Sequence, residues 1–252
     1  MVKKMRKERP DSELVADLNL LRRDMLASRL HPDTFGGYKN KLNGKEVVLL
    51  ATGPSLSKFK PIENAVYVGV NAAILYKRVT LDYLFMVDYP AVLNYCEEAK
   101  DSPVVKFYGI HSSPSLIIPE SVAIRHGAKR FYMNGAGFQE EIGKELIPAF
   151  DITAQPLVTH GSIVSAAMQF IFYTNPKRIY LVACDCYGNG HHVDDNGNRL
   201  GIKNNQSDYS KLINGWMEIK CFAETFYPET EIVSLNPVGL RGLFKDIDQV
   251  DE

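Results

Sequence analysis

The sequence predicts an α/β protein of the Rossmann-like type, with a largely parallel twisted sheet, helices on both faces and an added N-terminal amphipathic helix. Three observations carry this prediction. Apolar runs of strand length recur along the chain, helical stretches fit between them, and the strands are apolar on both faces. The 252 residues are 45% hydrophobic and 23% charged, which suits one folded domain with a small appendage.

Composition also excludes several classes of protein. The net charge of -1 argues against a nucleic-acid partner, because dedicated binders are usually basic. The four cysteines form no paired metal-ligand spacing and no signal peptide precedes them, so we expect reduced thiols in the cytoplasm. No apolar run reaches the roughly 18 residues that a membrane-spanning helix needs.

The N-terminal region, residues 1–44, is predicted to be a basic tail, an amphipathic helix and a linker. Residues 1–9 carry a net charge of +4, whereas the last seven residues carry -4. Over 11–29 an apolar stripe recurs at helical spacing, and His31-Pro32 ends it. The stripe consists of Leu14, Leu18, Leu21 and Met25. It packs on the body or on a second subunit, or it joins the basic tail in peripheral contact with an anionic membrane.

The catalytic domain is predicted to span 45–252. Its strands are expected at 46–51, 65–70, 81–87, 104–108, 130–133, 178–183 and 231–234, the last of these closing the sheet. Helices are expected at 89–99, 162–174 and 207–226. Residues 109–160 are the least regular part, and we interpret them as a lid or an acceptor-binding insertion.

Ligands of open parallel sheets bind beyond the carboxyl ends of the strands, and this rule selects the candidate residues. Thr52, Gly53, Pro54 and Ser55 follow the first strand. A glycine there permits close approach of a ligand, and the start of a following helix offers N–H groups to phosphate. The stretch matches neither the GxGxxG fingerprint nor a P-loop, and a simple turn is the alternative.

Single polar residues follow the next two strands. Asn71 comes after the second strand, where its amide either contacts a base or ribose or caps the next element. Asp88 comes after the third, where its carboxylate either binds a hydroxyl or a metal or caps a helix. Gly161 and Ser162 precede the helix at 162–174, so they form either a phosphate cradle or an N-cap with nothing bound.

The stretch after the strand at 178–183 is the most unusual connection. Asp185 and Tyr187 are followed by glycines and then by His191 and His192. Because histidine can act as a general acid or base near neutral pH, we select His191 and His192 together with Asp185 as catalytic, and Tyr187 as a contact to the nucleotide. A zinc site built from Cys184 and Cys186 with the two histidines does not have a standard spacing, so no metal site is predicted. Asn236, after the last strand, either completes the pocket or turns the chain.

Together these motifs resemble the bacterial sialyltransferases of glycosyltransferase family 42 and their wider relatives. Gly53-Pro54-Ser55-Leu56 resembles the nucleotide-binding loop of that family, and Asn71 matches the asparagine it uses on the CMP part of the donor. Gly161-Ser162 and the run 179–185 follow in the same order. The wider relatives include flagellin-modifying glycosyltransferases, which place a histidine soon after the aspartate, and the archaeal 6-hydroxymethylpterin diphosphokinase.

The resemblance implies a glycosyltransferase that uses a nucleotide-activated sugar, CMP-linked and of the sialic-acid type, to modify a bacterial surface glycan. Loop 52–55 and Ser162 would hold the phosphate, Asn71 the nucleotide, and His191 or His192 would take the acceptor proton. No cofactor would be required, because fixed dipoles stabilise the leaving group. We also expect a homo-oligomer at the inner face of the membrane.

Two alternatives stay open at this point. One is a pyrophosphokinase like the pterin relative, which would bind ATP and Mg²⁺ with Asp88 and Asp185 as metal ligands. The other is a nucleotide-binding protein without activity.

Overall fold

The computed structural model describes residues 30–87, 96–110, 117–134, 147–186 and 209–249. The predicted amphipathic helix lies outside these ranges. The strands within them are β1 Glu46–Leu50, β2 Val66–Val70, β3 Tyr83–Met86, β4 Val105–Ile110, β5 Lys129–Asn134, β6 Leu157–Val158, β7 Arg178–Val182, β8 Glu231–Leu235 and β9 Lys245–Ile247. The α-helices are α1 Pro32–Phe35, α2 Cys96–Asp101, α3 Glu120–Arg125, α4 Ile163–Thr174 and α5 Tyr209–Phe226. Short 3₁₀ helices cover Gly36–Tyr38, Pro54–Lys58 and Asn71–Leu75.

All described strand pairs are parallel, which confirms the predicted Rossmann-like α/β class. The strand order is β6-β5-β4-β3-β2-β1-β7-β8-β9. The chain therefore builds outward from β1 to β6, crosses back, and continues from β7 on the other side of β1. The point where the order reverses lies between β1 and β7, and this is where parallel sheets bind ligands.

Apolar side chains alternate between two cores, one on each face of the sheet. On the first face, α4, α5 and residues 35–42 cover one set of alternating strand residues, including Phe85 and Phe107. On the second face, the 3₁₀ helices at 54–58 and 71–75 with α2 and α3 cover the other set, including Leu84 and Tyr108. Helices thus lie on both faces, as predicted.

Helix α4 is buried on every side, because it lies between the sheet and the outer elements of the first face. All twelve of its residues are buried, as expected for a helix that is apolar around its circumference. Its one long polar side chain, Gln169, is fully hydrogen-bonded. The Oε1 atom accepts from the N–H groups of Ala149 and Val158, and Nε2 donates to the carbonyls of Val158 and Ser165.

Residues 32–44 differ from the linker that the sequence predicts. Phe35 is fully buried and lies 5.1 Å from the ring of Phe107, and Tyr38 lies 5.4 Å from that of Phe170. This segment therefore packs into the core of the first face. Phe35 and Tyr38 are three positions apart in a short helical turn, so both rings lie on its buried side. The glycines of the segment favoured the linker interpretation instead.

His31 fastens the same segment to the rest of the fold. Its Nε2 atom accepts from the N–H of Tyr132, so Nδ1 must donate to the carbonyl of Ile152, each at 2.8 Å. Both bonds require the neutral ring. Burial lowers the pKa of His31, and its hydrogen bond to the Ile152 carbonyl opposes that shift only in part.

The predicted strands are found with shifted ends, and two short ones were missed. β6 and β9 have two and three residues, too short for a periodic pattern. The strand near 231–234 is therefore followed by another. Within 109–160, the described parts contribute β5 and β6 to the same sheet, and α3 packs on its second face. No helix among the described residues is long and apolar enough to cross a membrane.

Candidate active site at the junction of β1 and β7

The chain segments that follow β1 and β7 are joined by a buried hydrogen-bonded pair. The Asp185 carboxylate accepts from the backbone N–H of Ser55 at 2.8 Å and from the Ser55 hydroxyl. Asp185 is 6% exposed and Ser55 8% exposed. Because these bonds involve a buried carboxylate, they belong to the stronger class of protein hydrogen bonds. We call this pair the Ser55–Asp185 latch.

Gly53 allows the two segments to approach each other closely. Its N–H donates to the carbonyl of Ala183 at 2.9 Å. A Cβ atom at this position would lie 2.5 Å from Cγ of Asp185 and 2.6 Å from the Ala183 carbonyl oxygen. The glycine is therefore needed for the contact between the segments after β1 and β7, and not only for an approaching ligand.

This geometry differs from the expected phosphate loop in one respect. The element after β1 is a five-residue 3₁₀ helix with Pro54 in its first turn, and proline has no N–H. The N–H and hydroxyl of Ser55 are engaged by Asp185. Phosphate contact by Ser55, and by the neighbouring Thr52, which is itself buried, stays a prediction.

Asn71 lies where β2 ends, on the strand next to β1. Its side-chain oxygen accepts from the N–H of Val87 at 3.0 Å, so the amide steadies the end of β3. In the part of the chain that the structure describes, nothing accepts from the Asn71 amide nitrogen. The Asn71 side chain therefore does not cap the next element, and contact with a base or ribose stays a prediction.

The start of α4 contains a strained turn. His160 and Gly161 have φ values of +45° and +76°, and the N–H of Ser162 donates back to the carbonyl of Thr159. Ser162 is the N-cap of α4, since its side chain accepts from the N–H of Val164 at 3.3 Å. This cap is the structural alternative that the sequence analysis set beside phosphate binding by Gly161 and Ser162.

His160 is a residue that the sequence analysis did not select. Its Nε2 atom is 2.7 Å from Oε2 of Glu218 on α5. One turn earlier on α5, Gly215 provides the space for the imidazole, because a Cβ there would overlap the His160 ring. The pairing depends on how α4 and α5 pack, and the only trace of it in the sequence is a glycine within the predicted helix at 207–226.

Helix α5 also contacts the end of β7. Trp216, next to Gly215, lies in the core of the first face, and Cys186 packs against that core. Burial raises the pKa of Cys186 to about 11 and raises that of Cys184 well above its ordinary value. Both thiols are therefore protonated at neutral pH. Among the described residues, no group of three potential metal ligands comes together.

Left-handed backbone conformations concentrate at this edge of the sheet. Positive φ values occur directly after strand ends at Asn71, Ala183 and Asn236, and a few residues beyond strand ends at His160 and Cys186. Such conformations cost free energy, and they cluster at functional sites where the surrounding structure enforces them. The carboxyl edge is thus the strained edge of the sheet.

Asn236, in contrast, is engaged by the protein itself. Its Nδ2 atom lies within hydrogen-bonding distance of the Lys58 carbonyl and of Oε1 of Gln249, and its oxygen accepts from the N–H of Gln249 at 2.7 Å. It closes the turn after β8 and holds the chain that follows β9. This placement favours the turn interpretation, and nucleotide binding by Asn236 stays a prediction.

Four predicted site residues, Asp88, Tyr187, His191 and His192, lie outside the described residues. Their roles remain predictions. A groove of about 260 Å³ lies at the opposite edge of the sheet, where α5 ends and β8 and β9 begin. Its lining includes Tyr227, Thr230 and Lys245, none of which the sequence analysis selected.

Comparison with known proteins finds a distant likeness among solved structures. No protein-family model matches the chain, and no curated protein matches it. Among solved structures, it is similar to the sialyltransferase CstII of Campylobacter jejuni, in complex with the substrate analogue CMP-3FNeuAc. The two share 14% identity over 81% of this chain and 86% of that chain, with a TM-score of 0.44. A likeness at this level assigns no activity to this chain.

Proposed function

We propose that this chain is a glycosyltransferase whose donor is a nucleotide-activated sugar, CMP-linked and of the sialic-acid type, and whose acceptor is a bacterial surface glycan. One observation carries the proposal. Motifs far apart in the sequence, the 52–55 loop, Asn71 and Asp185, follow three adjacent strands at the point where the strand order reverses. The same motifs, in the same order, carry the resemblance to family 42.

In this proposal the latch is a positioning device. Asp185 fixes Ser55 and, through it, the shape of the 52–55 loop, so the loop needs no rearrangement to receive the donor. Asn71 donates from its amide nitrogen to the nucleotide while its oxygen stays on Val87. The N-terminal end of the dipole of α4, a twelve-residue helix, stabilises the charge on the phosphate of the donor.

The transfer step needs a base and a stabilised leaving group. His191 or His192 takes the proton of the acceptor hydroxyl as its oxygen attacks the anomeric carbon. The new carbon–oxygen bond forms while the bond from that carbon to the phosphate oxygen breaks, and CMP leaves with the electron pair. Fixed dipoles stabilise the departing phosphate, so the step is written without a metal.

The latch also distinguishes this proposal from the ATP-dependent alternative. A pyrophosphokinase would use Asp185 as a magnesium ligand, yet both oxygens of Asp185 already accept hydrogen bonds from Ser55. Binding a divalent cation there would compete with the contact that joins the segments after β1 and β7. This observation favours the glycosyltransferase.

A thermal-shift panel tests the proposal. CMP, ATP, UDP and GDP are each added with Mg²⁺ or with EDTA, because a ligand that binds the native state raises the melting temperature. We expect CMP to raise it equally in both conditions. A shift with ATP that requires Mg²⁺, without a CMP shift, would support the pyrophosphokinase. No shift with any nucleotide would leave neither enzyme standing.

A second assay tests the base. The parent should hydrolyse or transfer a CMP-linked sialic acid in EDTA, and His191→Ala with His192→Ala should lower the rate at least 100-fold, within the usual range for general bases. Full activity in the double variant would remove both histidines from the mechanism. The CMP shift should be the same in parent and variant.

A further inference from the structure

An exposed apolar patch lies on the first face of the molecule, away from the candidate active site. Ile147 is 74% exposed, Phe150 57% and Phe226 49%, although all are large apolar residues. The Phe150 and Phe226 rings are 5.2 Å apart, and Phe226 is 5.0 Å from buried Phe222. Phe150 and Phe226 thus extend the core of the first face outward, and Ile147 lies three residues before Phe150 in the sequence. Contiguous apolar surface of this kind usually marks an interaction site.

The described chain begins beside this patch. The N–H of His31 donates to the carbonyl of Thr153, and its ring donates to that of Ile152. Thr153 is three residues from Phe150, a distance of at most roughly 11 Å in an extended chain. Leu30, the first described residue, is itself buried. Residues 11–29 therefore join the body immediately next to the patch.

The segment that precedes residue 30 has an apolar side that matches the apolar patch. Its stripe of Leu14, Leu18, Leu21 and Met25 recurs at helical spacing, with Arg22, Arg23 and Asp24 off the stripe. As a helix, the 19 residues of 11–29 would be about 28 Å long, more than enough to reach from residue 30 across the patch. No linker separates residues 11–29 from residue 30. The apolar stripe is therefore held near the patch at a high effective concentration, which favours contact within one chain.

We propose that residues 11–29 dock in cis on the patch formed by Ile147, Phe150 and Phe226, with the Leu14–Met25 stripe against the two phenylalanines. The segment is then part of the fold. Its apolar side is covered and is not available to a membrane, while the basic residues 1–9 remain outside the contact. The proposal does not depend on the enzymatic activity.

Amide hydrogen exchange on the full chain tests this docking. We expect the amides of 14–25 to exchange at least tenfold more slowly than those of 1–9. Phe226→Glu and Leu18→Glu should each raise the exchange rate of the 14–25 amides at least tenfold, because a charge on either side of the contact disrupts it. Met217→Glu is the matched control, since Met217 is 55% exposed on the same helix but nine residues from Phe226, on the opposite side. It should change nothing.

The amides of α4, read in the same experiment, report whether each variant is folded. If the α4 amides of Phe226→Glu lose their protection, that variant is not folded, and Ile147→Glu is used in its place. Ile147 is the most exposed residue of the patch. Protection of 14–25 should not change on tenfold dilution. Protection that disappears on dilution would show a second copy as the occupant, and an unprotected segment, or protection that survives Phe226→Glu, would equally overturn docking in cis.

Discussion

The carboxylate of Asp185 holds Ser55 by two hydrogen bonds across a separation of 130 residues. This contact joins the two strands between which the order of the sheet reverses. A residue selected from the sequence as catalytic thus has a structural task that can be measured without any substrate.

Breaking the latch should destabilise the protein, and the effect should be larger when buried donors lose their acceptor. Ser55→Ala removes one hydrogen bond and should lower the free energy of unfolding by about 1 kcal/mol. Asp185→Ala leaves both Ser55 donors without an acceptor and should lower it by about 3 kcal/mol. Urea unfolding gives both values. Ser57→Ala, an exposed serine in the same 3₁₀ helix, is the control, and an equal effect of Asp185→Ala and Ser57→Ala would contradict the latch.

Gly53→Ala should be costly because its Cβ meets backbone and a buried carboxylate. The nearest atoms, at 2.5 and 2.6 Å, cannot move without shifting the segment after β7. We expect a loss of roughly 2 kcal/mol, typical of overpacking. Gly37→Ala, with nothing within 4 Å, should change stability by no more than about 0.5 kcal/mol. Equal stability of the two variants would show that the β1 and β7 segments are not closely packed.

Stability should fall as the solution is acidified, through His31. Its pKa in the folded protein is below the ordinary 6.5, so the unfolded chain binds the proton more readily. The contribution is complete above about pH 6.5 and is lost as pH falls through the folded-state pKa. Urea unfolding of the parent and of His31→Gln at pH 7.5, 6.5 and 5.5 measures it. The difference in unfolding free energy between the parent and His31→Gln should shrink as the pH falls. A difference that stays constant would be inconsistent with a neutral, buried ring.

Gln169 should be the most sensitive polar residue of α4. Gln169→Met retains the length but leaves the N–H groups of Ala149 and Val158 without their acceptor. We expect a loss of about 3 kcal/mol. Gln155→Met, at an exposed glutamine in the neighbouring loop, should be within about 0.5 kcal/mol of the parent. Thermal or urea unfolding decides it, and a mild effect at Gln169 would mean that water replaces its hydrogen bonds.

The sequence was sufficient where a single local pattern determines the structure. Five-residue apolar strands such as β1 and β7 must be buried on both faces, and this alone predicts a parallel sheet. Ser162 was predicted as a helix start because serine is a common N-cap, and the cap is found. β9 was missed because Lys245, Asp246 and Ile247 have no apolar alternation. Their pairing with β8 is a tertiary contact.

The candidate site was predicted in part for the same reason. The rule that ligands bind at strand ends selects Gly53, Asn71 and Asp185 from one sequence. It does not say which polar group faces the protein and which faces a ligand. Asp185 bonds to Ser55, and Asn236 bonds to Gln249. Both partners are more than ten residues away in the sequence, so no local pattern predicts these bonds. The pairing of His160 with Glu218 was equally beyond local patterns, since it depends on how α4 and α5 pack.

The most direct test of the account is the affinity for CMP of the parent and of Asn71→Asp, by isothermal titration in EDTA. Aspartate keeps the oxygen that accepts from Val87 and tolerates the left-handed backbone, but it removes the amide donor and adds a negative charge. The account predicts that CMP binds the parent without metal and binds Asn71→Asp at least tenfold more weakly, with unfolding in urea nearly unchanged. Equal affinity for both, or binding of Mg²⁺–ATP in place of CMP, would contradict it.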